Sequence, residues 1–202
     1  MDYFEQVIKL APSHKGALSN YVMLAVQRKQ LDHSGDFLKG VANSDNLVIT
    51  IALAQNLRLD GQAKEAVTLL ESFTNKKALD TVYWSLLGDL YLQLKNINKA
   101  SAAFNEGLQL KSHHYQLNLR RIGIFETLKK YPEALVQTKF AYEYYPNNTR
   151  LEILLAHFEA KNNNTDAAKA MLSVIEQKQI VCRSLSFVLI HFEVGHYEMR
   201  RV

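Results

Sequence analysis

Trp84-Ser85-Leu86-Leu87-Gly88-Asp89-Leu90-Tyr91, followed by Ala100, Phe104 and Leu108, decides how this 202-residue chain folds. Trp84, Leu87, Gly88 and Tyr91 fall at helical spacing, so a first helix has one apolar face. Lys95-Asn96-Ile97-Asn98 reads as a polar turn, and Ala100, Ala103, Phe104 and Leu108 mark the inward face of a second helix. Gly88 and Ala100 carry almost no side chain, which lets the two axes come close, with Trp84 and Phe104 filling the space beside them. The reading predicts a buried Trp84 ring. The skeleton returns one period later as Ile122, Phe125, Tyr131-Pro132-Glu133-Ala134, Ala141 and Pro146.

Stepping by 34 residues extends the pattern both ways. Residues 47–80 give Leu53-Ala54, Leu57, the Asp60-Gly61-Gln62 turn, Ala66, Leu70 and Phe73. Residues 149–180 give Leu155-Ala156, the Asn162-Asn163-Asn164 turn, Ala168, Leu172 and Ile175. Residues 15–46 give Leu18, Tyr21-Val22, Ala25, Ser34, Leu38 and Val41 in a unit two residues shorter. Ala66, Ala100, Ala134 and Ala168 are spaced by 34 each time. Such a period means one supersecondary unit stacked repeatedly. The expected layout is one solenoid over 1–202, with full repeats at 15–46, 47–80, 81–114, 115–148 and 149–180 and partial ones at 1–14 and 181–202. Phe4, Val7, Leu10 and Pro12 look like a second helix lacking its first, and Phe187-Val188, His191, Gly195 and Tyr197 like a first helix and turn. Uncapped ends of this kind suggest a piece of a longer or truncated array, prone to end-to-end self-association.

Composition narrows the function. Apolar residues make up 48% and charged residues 22%, ordinary for a folded chain. No apolar run reaches the roughly 18 residues that span a bilayer, so membrane insertion is not expected. The net charge of +4 would suit a nucleic-acid binder, but Arg120-Arg121, Lys129-Lys130 and Arg200-Arg201 lie far apart, and a polyanion needs a concentrated basic face. Cys182 stands alone, which excludes an internal disulfide. His113-His114 is the adjacent histidine pair, set in a turn with no Cys or carboxylate at ligand spacing, so no metal or other cofactor is expected. Neither a phosphate-binding glycine loop nor a nucleophile elbow is present, and the chain reads as non-catalytic.

The residues quoted for 81–114 resemble the tetratricopeptide repeat, and the likeness runs over essentially the whole chain. It departs at Arg121, where the family has leucine, at Thr138, where it has an aromatic or leucine, and at Glu152, which stands where Trp84 stands. The resemblance implies an all-α, right-handed superhelical solenoid of antiparallel helix pairs. It also implies a concave groove, lined by first helices, that binds a peptide or partner protein. Groove candidates are Asn20, Met23 and Gln27; Gln55 and Arg58; Ser85, Asp89 and Gln93; Arg120 and Glu126; and Arg150, His157 and Lys161. Their mixture of amides and both charge signs suits an extended peptide. The family's carboxylate clamp would need lysines and asparagines, yet Ser19, Met23, Ala52, Val82 and Leu86 fill those slots. The expected function is a non-catalytic protein-interaction scaffold. The alternative is an interaction module of a multidomain enzyme or of a large bacterial exopolysaccharide-export lipoprotein, a group the repeat texture also resembles. The expected compartment is the cytoplasm or, for a fragment of an exported lipoprotein, the periplasm.

Overall fold

The computed structural model describes residues 1–42, 46–73 and 79–178. Every regular element among them is an α-helix: α1 (Asp2–Leu10), α2 (Lys15–Arg28), α3 (Leu31–Val41), α4 (Leu47–Leu59), α5 (Ala63–Ser72), α6 (Thr81–Gln93), α7 (Ile97–Leu110), α8 (Tyr115–Thr127), α9 (Tyr131–Tyr144), α10 (Thr149–Lys161) and α11 (165–178). The all-α expectation holds. Cys182 and the candidate first helix and turn marked by Phe187, Val188, His191, Gly195 and Tyr197 lie outside the described residues. The chain forms two compact units, Met1–Arg120 and Arg121–Val202, each described by itself.

The helices start and stop in register. His14, Asn46, Asp80, His114 and Asn148 each cap a first helix, their side chains accepting from the amides of Ala17 (3.0 Å), Val48 (3.1 Å), Tyr83 (2.9 Å), Leu117 (3.4 Å) and Leu151 (3.2 Å). Such caps satisfy amides that a helix start leaves without partners. His114 therefore has a structural task, since its Nδ1 is the acceptor at the head of α8. At the other end, Lys29, Gly61, Lys95, Lys129 and Asn163 all take positive φ, between 55° and 82°. The next amide then reaches back five residues: Gln30 to Ala25, Gln62 to Leu57, Asn96 to Tyr91, Lys130 to Phe125 (each 2.8 Å) and Asn164 to Glu159 (2.9 Å). This is the Schellman closure of a helix, met five times.

The small residues do what their spacing demands. Ala66, Ala100 and Ala134 are 0% exposed and Ala168 5%, each the fourth residue of its second helix. Opposite Gly88, however, stands Phe104: a β-carbon on residue 88 would lie 2.2 Å from Phe104 Cε1. Phe104 is fully buried against the bare backbone of α6. Gly107 leaves similar room a helical turn beyond Phe104, where a β-carbon would meet Leu117 at 2.7 Å and the Trp84 β-carbon at 3.1 Å.

Several expectations need correction. Trp84 is only half-buried; its neighbour Tyr83 is the buried ring, with its hydroxyl donating to the Leu70 carbonyl at 2.9 Å. The Trp84 position is held elsewhere by Leu18 and by three polar residues, Thr50, Asn118 and Glu152, all of them buried. Thr50 donates to the Asn46 carbonyl (3.0 Å) and Asn118 to the carbonyls of Ser112 (2.9 Å) and His114 (3.0 Å), so each serves its own turn. Leu10 and Leu172 are exposed, and in α1 it is Ile8 that is buried. Leu172 lies beside the inward line of Ala168, Met171 and Ile175.

The departures from the repeat pattern are compensated locally. Ser34 takes the alanine slot of α3, and its hydroxyl meets the side-chain oxygen of Asn56, which sits where later repeats have Leu90, Ile124 and Phe158. Asn56 also donates to the Leu31 carbonyl at 3.0 Å. Thr138 is fully buried with its hydroxyl on the Ala134 carbonyl at 2.7 Å. The Arg121 guanidinium lies 5.5 Å from the Phe125 ring centre. Glu152 is buried against Lys178 (2.6 Å) and the Tyr142 hydroxyl (3.1 Å). The Lys178 bond holds its carboxyl below the usual range, against the opposing pull of burial. Glu159 is likewise buried; Asn164 and then Lys139 lower its carboxyl. Buried charges need such partners.

Candidate functional site

In the first unit the first helices lie side by side, α2 against α4 and α4 against α6. Their N-termini are tied together by their own caps. Asp80 uses Oδ1 to cap α6 and holds Oδ2 3.7 Å from Lys15 Nζ of α2. Asn46, which caps α4, donates from its amide to the Ser13 hydroxyl at 3.2 Å. Between these rims lies a pocket of about 190 Å³. Its walls are largely apolar, with Leu18, Val48, Ile51 and Val82 prominent, and Ser19 and Gln55 supply polar groups.

The candidate residues separate into three groups. Gln55 lines the pocket. Two pairs meet each other: in the first unit Arg120 grips Asp89 with Nε to Oδ1 at 2.8 Å and a terminal nitrogen to Oδ2 at 3.1 Å. In the second unit His157 Nε2 stands 3.1 Å from Glu126 Oε1, with its ring edge-on to Phe158. Both pairs link a first helix to the next one. The rest are dispersed: Asn20, Met23, Gln27, Gln93 and Arg150 are exposed, Ser85 and Arg58 half-buried, and Lys161 leans to within 5.7 Å of the Tyr131 ring. The Arg58 Nε is buried without a hydrogen-bond partner among the described residues.

The pocket's apolar wall was missed as a site. Its signal was the set of slots where a carboxylate clamp would need lysine and asparagine: Ser19, Ala52 and Val82 fill three of them, and all three line the pocket. A groove that lacks basic groups at those places offers apolar contact instead. Chemically the surface can seat an aliphatic side chain and hydrogen-bond a neighbouring backbone. Among the described residues no three His, Cys, Asp or Glu side chains gather as metal ligands. No helix of the described residues is long and apolar enough to cross a membrane.

Residues 82–114 match the tetratricopeptide-repeat family. In three dimensions the chain is similar to a crystal structure of MamA, with a TM-score of 0.67 at 12% identity over 82% of this chain and 91% of that one. A second MamA crystal structure gives 0.68 at 13% identity, covering 79% and 95%. YrrB, described as a tetratricopeptide-repeat protein with an unusual peptide-binding site, gives 0.61 at 15% identity, covering 85% and 90%. No curated protein matches the chain in sequence. At these identities the likeness establishes the fold.

Proposed function

We propose that this chain, with a tetratricopeptide repeat at 82–114 and the fold of tetratricopeptide-repeat proteins, is a non-catalytic scaffold that holds a peptide or an extended segment of a partner protein on its first helices. The observation that carries this reading is the apolar pocket spanning α2, α4 and the start of α6. An incoming strand sets one aliphatic side chain among Leu18, Val48, Ile51 and Val82, while Ser19 and Gln55 hydrogen-bond its backbone. A similarly folded protein described as having a peptide-binding site supports it. Rigidity supplies the affinity, because helix ends already tied by Asp80 and Asn46 lose little freedom on binding.

Selection of peptides from a random display library tests the proposal. Selected sequences should share one aliphatic position and bind at one site per chain. Val82→Arg, at a position 45% exposed, should weaken them at least about tenfold without altering the fold. Equal binding by the variant would move the site elsewhere. End-to-end self-association belongs to the same proposal: Tyr3 and Leu10 of α1 stand 73% and 88% exposed. Sedimentation should show weight-average mass rising with concentration, and less so for Leu10→Glu.

A further inference from the structure

Away from that pocket, and sharing no residue with it, a second cleft of about 410 Å³ lies among α5, α6 and α7. Trp84 and Tyr91 wall it, small Ala102 leaves it open, and Glu71 and Glu106 bring two carboxylates to its edge. The Tyr91 hydroxyl donates to Glu71 Oε1 and so fixes that carboxylate beside the ring. A cation already visits: Lys99 Nζ sits 5.2 Å from the Tyr91 ring centre and 3.8 Å from Glu71 Oε1. The contact is loose, and the Lys99 side chain is 58% exposed.

The second unit repeats this cleft 68 residues on, with Glu152, Leu155, Ala170 and Val174 at the places of Trp84, Leu87, Ala102 and Glu106. There the chain's own ammonium group, Lys178 Nζ, closes on Glu152 at 2.6 Å. In the first unit the exposed Lys99 meets only Glu71, and loosely, Glu106 stands exposed at the same edge, and the Trp84 wall stays half-buried. We propose that the α5–α7 cleft is a docking site for an arginine side chain of a basic partner peptide, which displaces Lys99. A guanidinium suits it better than an ammonium, since a flat cation stacks on Trp84 while pairing with a carboxylate in its own plane.

Trp84 is the sole tryptophan and reports on the cleft directly. The probe is acetyl-tetraarginine-amide, titrated at low ionic strength against tetraglutamine as control, with Trp84 emission as readout. The expected result is a saturable change with arginine alone. Lys99→Ala should tighten it about threefold, and Glu71→Gln with Glu106→Gln should weaken it about tenfold. The glutamine at 71 still accepts from Tyr91, and circular dichroism with urea unfolding verifies each variant's fold. Val82→Arg should bind the probe as the parent does, which separates this site from the first-helix pocket. An unsaturable or absent change, unchanged affinity in the double glutamine variant, or loss of binding in Val82→Arg would overturn the assignment.

Discussion

Glycine at 88 is a requirement set by a ring. With Phe104 Cε1 2.2 Å from where a β-carbon would be, Gly88→Ala must push the phenylalanine out of place, at a cost of about 1–3 kcal/mol in urea unfolding. Adding Phe104→Leu to that variant should recover some of the loss. Ser34 and Asn56 form a second coupled pair. Ser34→Ala strands the Asn56 side-chain oxygen and should cost about 1–3 kcal/mol, whereas Ser34→Ala with Asn56→Leu restores the apolar pattern of later repeats and should lie near the parent. At this scale the sequence misled most at Trp84. A tryptophan at helical spacing looks like core, but three of the four matching residues, Thr50, Asn118 and Glu152, are polar, the fourth being Leu18. Thr50 and Asn118 bond within their own turns and Glu152 bonds Lys178 and Tyr142, and only comparing units against each other reveals such a polar column.

Helix ends carry the next level of specificity. The His114 ring nitrogen that accepts from Leu117 cannot do so once protonated, and burial, then nearby Lys111, lowers its affinity for the proton below the ordinary 6.5. The unfolded chain therefore takes up a proton that the folded one resists. Its contribution is fully present above pH 6.5 and is lost as the pH falls through the depressed folded value. The lowered carboxyls of Glu152 and Glu159 add a second loss, starting below their ordinary 4.5. Urea midpoints against pH should fall in both ranges, and His114→Asn, which keeps a capping oxygen, should flatten the first. The left-handed residues give a contrast of sign. Gly61→Val should lose at least about 1–2 kcal/mol, while Lys95→Gly relieves a similar strain, partly offset by about 0.5–1 kcal/mol of chain entropy. Thermal melting checks both. Elements were legible because apolar spacing and turn residues repeat. The histidine caps were not, since a lone histidine before a helix carries no pattern until its partner amide is seen.

For the molecule as a whole, the repeat period was enough to give the fold, because each helix pair buries its inner face on its neighbours and needs little else. The site was only half legible. Slots on the first helices could be named, but Asp89 with Arg120 and Glu126 with His157 meet one another across successive repeats, and a reading confined to one repeat cannot see that. The apolar pocket escaped for the complementary reason: its walls come from three helices, Leu18 from α2, Val82 from α6, and Leu47, Val48, Ile51 and Ala52 from α4, ordinary aliphatic residues on each. Arg120→Ala should cost up to about 1 kcal/mol, and the difference from the parent should shrink in high salt, since the pair is partly exposed. Unfolding in urea at two ionic strengths measures it.

Asp89 and Arg120 are 31 positions apart, and so are Glu126 and His157. In each unit a spacing three short of the period joins one first helix to the next. Duplicating a 34-residue block that contains both partners would copy such a pairing in phase. One extra residue inserted within α8, after Leu117, would instead swing Arg120 about a quarter turn round the helix relative to Leu117 and away from Asp89. Lineages of this protein should thus tolerate growth by modules far better than by single residues.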